Sequence, residues 1–182
     1  EKRIPELRKA ADDIQVKLGR PAALRVVMVG DHPASTLYVA NKKKLAEEVG
    51  ISAETLHFPE NTPIASVMVA VQKLNADPGI DGILIQRPLP TSYPEEEVLL
   101  WVRPEKDVDA FHPETLGRVS LGITPFLPCT PSGCLKLLEY YGYDLRGKIA
   151  CVVGRSSIVG KPLAALLLQK DATVLHCHSK TK

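Results

Sequence analysis

The chain has 182 residues, 45% of them hydrophobic, which is enough apolar material to bury a core in one domain or two small ones. With 23 basic against 21 acidic residues the formal net charge is +2, so there is no global field to draw nucleic acid or an anionic membrane surface. No apolar run is long enough to span a bilayer, and the sequence opens at Glu1 with no basic-then-apolar leader pattern.

Helical and strand patterns alternate along the chain. Ile4, Leu7, Ala11, Ile14 and Leu18 recur at helical spacing, with Gly19 placed to stop the helix. The run 23–29 is short and β-branched, ends in Gly30 and reads as a buried strand. Asp31-His32-Pro33 makes a turn, and Ser35 is expected to cap a helix reaching about Val49, stopped by Gly50. Residues 51–58 read as a second strand. Thr62-Pro63 supplies an N-cap and a first helical residue for a helix to about Ala76. Residues 82–85 form a third strand, ended by Gln86-Arg87-Pro88-Leu89-Pro90, whose prolines forbid further regular structure. A helix over 95–102 follows. From Arg103 to Pro131 the prolines at 104, 113, 125, 128 and 131 interrupt any apolar period, so this segment reads as a connector with short helical pieces. Thr130-Pro131 opens a helix through Leu135, Leu138 and Tyr141, closed by Gly142. Residues 149–153 are a strand, Pro162 begins a helix of Leu163, Ala164, Leu166 and Leu167, and residues 173–177 are a further strand. Repeated units of this kind predict an α/β fold of two domains, residues 1–125 and 126–182, built on parallel sheets.

The cysteines at 129, 134, 151 and 177 show no zinc-knuckle spacing. Cys151 sits in an apolar run and reads as a small buried hydrophobe. His176, Cys177 and His178 are strand neighbours pointing to alternate faces, so no metal site is predicted there. Free thiols suit a reducing compartment, hence a cytoplasmic location.

Strand 149–153, the turn Gly154-Arg155-Ser156-Ser157-Ile158-Val159-Gly160 and a helix led by Pro162 follow the order of a Rossmann-type nucleotide site. Glycine lets the backbone approach a pyrophosphate, and a helix N-terminus offers unpaired N–H groups to an anion. The pattern is G-x-S-x-x-x-G rather than G-x-G-x-x-G, and an ordinary strand–helix turn with glycines for steric reasons is the competing reading. An NAD site usually ends its second strand on an acid that binds the ribose 2′-hydroxyl. Here that strand is followed by His178-Ser179-Lys180-Thr181-Lys182, with no acid. Arg155 and Ser156 lie in the first turn. Cation and hydroxyl donors suit a 2′-phosphate, so the pattern predicts NADP over NAD.

Tyr38 and Lys42 lie four apart on one predicted helix and share a face that Leu45 and Val49 are expected to carry into the core. A lysine on a partly apolar face is suited to proton transfer at neutral pH. By spacing alone, a snorkelling lysine of the basic run Lys42-Lys43-Lys44 fits as well or better. Gln86 stands at the carboxyl end of a parallel strand, where ligands bind, and an amide there orients a lysine, binds a heterocycle or caps the loop. Asp107 and Asp109 flank Val108, placed either to bind an N–H-rich ligand edge or as a solvated acidic loop.

Taken together, Tyr38-Val39-Ala40-Asn41-Lys42, Gln86-Arg87-Pro88-Leu89-Pro90, Asp107-Val108-Asp109-Ala110-Phe111-His112, Pro128-Cys129-Thr130-Pro131 and Gly154-Arg155-Ser156-Ser157-Ile158-Val159-Gly160-Lys161-Pro162 resemble, in order, the motifs of the bifunctional methylenetetrahydrofolate dehydrogenase/cyclohydrolase family. The resemblance spans essentially the whole chain. It implies NADP-dependent oxidation of 5,10-methylenetetrahydrofolate, then hydrolysis of the methenyl product to 10-formyltetrahydrofolate, in a cleft between two domains of a homodimer. By position it implies that Lys42, Gln86 and Asp109 are catalytic. Tyr38 would stack on the folate rings, Lys42 would carry the proton, Gln86 would hydrogen-bond Lys42, and Asp109 would anchor the pterin. Val39, Ala40, Asn41, Ile85 and Arg87 complete the implied folate-binding set, and Gly154, Arg155, Ser156 and Ser179 the cofactor-binding set. Another two-domain NADP-binding dehydrogenase leaves the Tyr38, Lys42 and Gln86 set unexplained, and a non-catalytic α/β module leaves it without a purpose.

Two positions depart from the family pattern: Arg87 stands where leucine is usual, and Ala110 where glycine is. The resemblance also implies that the cofactor domain continues beyond Lys182 with further strands and a returning helix. An exposed sheet edge, prone to association, is expected without them.

Overall fold

The computed structural model of the protein describes residues 3–124 and 126–182, so Pro125, where the sequence reading ends the first domain, lies outside the described residues. The chain divides into two compact units, Glu1–Asp107 and Val108–Lys182.

The first unit contains α1 (Ile4–Leu18), β1 (Ala23–Val29), α2 (Pro33–Glu48), β2 (Ser52–Phe58), α3 (Ile64–Ala76), β3 (Gly82–Ile85) and the short α4 (Glu95–Val98). The three strands are parallel in the order β2-β1-β3, with Val26 opposite Thr55 on one side and Leu84 on the other. A central parallel strand is covered on both faces, which is why β1 is apolar at every position but Arg25 rather than alternating. Val26 and Val27 are buried almost completely, and Val27, Val67, Val71, Ile83 and Val98 share one core cluster.

The second unit contains α5 (Pro113–Leu121), α6 (Cys129–Tyr140), β4 (Ile149–Val153), α7 (Gly160–Leu168) and β5 (Thr173–Cys177). β4 and β5 pair in parallel, with Val153 opposite Cys177. Val119, Leu135, Val152, Leu166 and Leu167 form the core. Strand neighbours alternate in direction, so Ile149, Val153 and Leu175 point to the other face and are 72%, 82% and 53% exposed. Cys151 shares that face and is exposed, not the buried hydrophobe expected from its apolar neighbours. Its Sγ lies 3.7 Å from Cys177 Sγ, and this hydrogen bond, with burial, raises the Cys177 thiol above its usual titration range.

Several boundaries differ from the sequence reading for local reasons. The segment read as a connector contains α5, which begins at Pro113 with the His112 ring accepting from the Glu114 N–H at 3.2 Å. α5 belongs with the second unit because Val119 joins its core, which moves the division between units from residue 125 to residue 107. The helix expected over 95–102 closes at Val98, although Trp101 still packs on the first core. α2 starts at Pro33 with His32 as N-cap, not at Ser35, because the fixed φ of proline is already helical there. Pro63 takes the cap position of α3 that Thr62 was expected to hold.

An ion pair ties the amino ends of the first sheet together. Arg20 grips Asp81 with Nη1 to Oδ2 at 2.7 Å and Nη2 to Oδ1 at 3.0 Å, and the Ala23 N–H donates to Oδ2 at 2.8 Å. The Arg20 hydrogen bond, then the Ala23 amide and the arginine charge, outweigh burial and hold the Asp81 carboxyl below its ordinary range. A lowered native value contributes stability that is fully present above the unfolded aspartate value of about 3.9 and is lost as pH falls through the native one. Asp81→Asn is therefore expected to flatten the acid limb of the stability–pH curve, read by urea unfolding between pH 6 and pH 2. An unchanged acid limb contradicts the assignment.

Candidate active site

In parallel sheets ligand sites gather where strands end, because backbone amides and loop side chains converge there. The first unit places a polar group at such an end. One stripe of α2, namely Ser35, Val39, Ala46 and Val49, faces inward and is buried. Lys42 lies on that stripe and is half-buried. Leu45, expected on the inward face with Val49, is 47% exposed, since it lies one position away from the stripe. Tyr38 flanks the stripe and is 60% exposed, which leaves its ring face available to a planar ligand.

Lys42 Nζ donates to Gln86 Oε1 at 3.2 Å. Gln86 is itself buried, and its Nε2 donates to the Arg87 carbonyl at 2.6 Å. That second bond decides which end of the amide faces the lysine, because Nε2 is occupied and only the oxygen remains for Nζ. Ser35 Oγ donates to the same Arg87 carbonyl at 3.3 Å, so α2 and the chain after β3 are joined at one oxygen. Ser35 was missed in the sequence, where its position near a helix start favoured a capping role; Pro33 held the signal that the helix begins earlier. Arg87 Nη2 pairs with Glu95 Oε2 at 2.7 Å, which directs this cation toward α4. Ile85 is half-buried, Val39 buried, and Ala40 and Asn41 exposed on α2.

In the second unit Cys129, the first residue of α6, donates its thiol to Asp109 Oδ1 at 3.8 Å. Asp109 thus lies beside the first residue of α6. Asp107, its alternative in sequence, is buried in the first unit and bridges the backbone of Ile83. Ala110 is buried at φ 58°, the left-handed region in which a β-carbon costs about 1 kcal/mol, so glycine would fit there without that cost.

The turn after β4 opens at Gly154 with φ 128°, which only glycine adopts readily. Gly154 N–H donates to Cys177 O at 2.8 Å. The Ser156 hydroxyl accepts from the Val159 and Gly160 N–H groups at 3.2 and 3.3 Å, so it caps α7 from inside the turn. Arg155 is exposed. Just past β5 the chain turns back on itself, with His178 N–H on Thr181 Oγ1 and Thr181 N–H on His178 O, both at 2.8 Å, and Ser179 is exposed on this turn. Among the described residues no group of three or more His, Cys, Asp or Glu is placed to hold a metal ion, and no helix is long and apolar enough to cross a membrane.

A β-carbon on Gly160 would overlap the Gly154 carbonyl and press on the Arg155 backbone. Neither obstacle is a flexible side chain, so Gly160→Ala is expected to destabilise the second unit by about 1–3 kcal/mol, measured as a lower unfolding midpoint. Gly133→Ala, in open space within α6, serves as the comparison and is expected to leave the midpoint unchanged or raise it, since alanine favours a helix by up to about 1 kcal/mol over glycine.

Comparison with known proteins places these motifs in one family. The description "Tetrahydrofolate dehydrogenase/cyclohydrolase, catalytic domain" fits residues 2–109, and its companion "NAD(P)-binding domain" fits residues 128–182. The Bifunctional protein FolD of Lysinibacillus sphaericus is 48% identical over 179 residues, covering 97% of this chain and 63% of that protein. The crystal structure of the bifunctional enzyme FolD, a methylenetetrahydrofolate dehydrogenase/cyclohydrolase, from Campylobacter jejuni matches with TM-score 0.94 at 43% identity, covering all of this chain and 64% of that one. The Trypanosoma brucei enzyme, solved with NADP cofactor and inhibitor, matches with TM-score 0.91 at 31% identity over 98% of this chain and 61% of that one. The chain thus spans about three fifths of the length of these relatives. Both of its units match in chain order, and the chain belongs to the tetrahydrofolate dehydrogenase/cyclohydrolase family.

Proposed function

We propose that the protein interconverts one-carbon folates: NADP-dependent oxidation of 5,10-methylenetetrahydrofolate to the methenyl form, then hydrolysis of that cation to 10-formyltetrahydrofolate. The observation that carries this reading is the Lys42–Gln86 hydrogen bond at the carboxyl end of β3.

Water adding to the methenyl carbon gives up both its protons as it becomes the formyl oxygen: one is taken by N5 as the carbon–N5 bond breaks, and the other is released. Lys42 Nζ, held on the fixed Gln86 oxygen, is the group placed to carry a proton beside the electrophilic carbon. Gln86 serves as the orienting group for Lys42. Tyr38, exposed beside this pair, stacks on the folate rings, with Ala40, Asn41, Ile85 and Arg87 lining the substrate. The buried Val39 backs the Lys42 stripe from the core. Asp109, next to the first residue of α6, accepts the pterin N–H groups.

The second unit fits NADP. Gly154 at its positive φ and Gly160 packed against the Gly154 carbonyl bring the turn close to the start of α7, where a helix N-terminus favours an anion. Arg155, Ser156 and Ser179 offer cation and hydroxyl donors for phosphate, with no acid after β5 to repel one. What NADP supplies when bound is a hydride acceptor for the one-carbon bridge. The substrate partners are tetrahydrofolate derivatives. A homodimer and a cytoplasmic location accompany this activity in our reading, on the ground of family membership.

Two measurements test the proposal on the protein carrying this sequence. Lys42→Met is expected to lower methenyltetrahydrofolate hydrolysis by about 100-fold or more; an unchanged rate means that Lys42 is not the proton carrier. In fluorescence titrations NADP is expected to bind at least about tenfold more tightly than NAD, since charge-assisted phosphate contacts contribute about 1.5–3 kcal/mol. Equal affinities contradict a 2′-phosphate site.

A further inference from the structure

His176 stands opposite Val152 in the β4–β5 pairing, one residue before the end of β5. Its Nε2 lies 2.7 Å from the carbonyl oxygen of Gly154. A carbonyl only accepts, so Nε2 carries the proton and His176 is the donor. The neighbouring amide of the same glycine donates to Cys177 O at 2.8 Å. Two consecutive residues of β5 therefore hold both polar groups of Gly154, at the residue where β4 turns into the glycine loop. On its far side the Gly154 carbonyl abuts Gly160, where a β-carbon would collide with it.

A trans peptide is planar, with its C=O and the following N–H pointing in opposite directions. Fixing the Gly154 carbonyl against His176 thus aims the Arg155 N–H away from β5. Three amides further along the loop are engaged within it: Val159 and Gly160 donate to Ser156 Oγ, and Lys161 donates to Ser156 O at 3.0 Å. No hydrogen bond from the Arg155 N–H to the described residues accompanies them. Without His176, Gly154 at φ 128° has the freedom of any glycine to let this peptide plane rotate.

We propose that His176 is a positioning residue of the cofactor site: by donating to Gly154 O it locks the Gly154–Arg155 peptide plane and presents the Arg155 N–H to an anionic phosphate of the dinucleotide. The role rests on the reading of this loop as the NADP site. It differs from that of Arg155, Ser156 and Ser179 in acting through the backbone, without touching the ligand.

The test is calorimetric titration of NADP and, separately, of tetrahydrofolate into the unaltered protein, His176→Ala and His176→Gln. Loss of one hydrogen bond that fixes a binding group is expected to weaken NADP about tenfold in His176→Ala, with tetrahydrofolate affinity unchanged. His176→Gln places an amide donor near the position of Nε2 and is expected to recover most of the loss. NADP affinity in folded His176→Ala equal to that of the unaltered protein overturns the proposal. If the alanine variant fails to fold, the glutamine variant decides: folded with near-normal NADP affinity it supports the role, and folded without it, it overturns it. Failure of the unaltered protein to bind NADP overturns the cofactor reading itself, and this inference with it.

Discussion

The hydrogen bond from Lys42 to Gln86 depends on an amide that has no freedom to turn. Gln86 is buried, its Nε2 is held on the Arg87 carbonyl, and its oxygen is the atom left to receive Nζ. Exchanging the two ends would set an NH2 group against the lysine amine and strand a carbonyl opposite a carbonyl, each a lost hydrogen bond in a partly desolvated place. The rest of the first unit serves this arrangement. The parallel pairing of β3 with the covered central strand β1 fixes where Gln86 emerges, and the inward stripe of α2 fixes where Lys42 arrives. Ser35 closes the figure by meeting the same Arg87 oxygen from α2.

The second unit is organised around a different oxygen. The Gly154 carbonyl is approached by His176 from β5 and by the backbone of Gly160 at the start of α7. Glycine at both positions is a steric requirement, since Gly154 lies at a positive φ and Gly160 has no room for a β-carbon. This is a tighter statement than a pattern of two glycines six residues apart. The exposed apolar side of β4 and β5, carrying Ile149, Val153 and Leu175, leaves this sheet with a bare face opposite its helices.

Much of the fold was legible because periodicity reports burial. The valine-rich runs of β1 and β4, the stop glycines at 19 and 142 and the proline-led helices all register in the sequence and lie where expected within a residue or two. What misled was local context. Pro113 lay among prolines that mask a helical period, so α5 was hidden although Thr115 and Val119 face inward at helical spacing. Cys151 was read from its neighbours in sequence, while exposure depends on which face of the two-stranded sheet is covered. Of the candidate site, the order of strand, glycine turn and helix was readable, whereas spacing alone did not prefer an inward Lys42 to a snorkelling one. The orientation of Gln86, the contact of Ser35 with Arg87 and the contact of His176 with Gly154 were not readable, because each joins residues far apart in sequence whose meeting only the fold determines.

If Gln86 orients Lys42 for proton transfer in methenyltetrahydrofolate hydrolysis, the pH profile of that reaction reports it most directly. Replacing Gln86 by leucine removes the fixed oxygen while keeping the volume. The account predicts a fall in kcat together with a displaced pH profile, while KM for the folate changes by less than the rate does. A profile and rate matching those of the unaltered protein would contradict it.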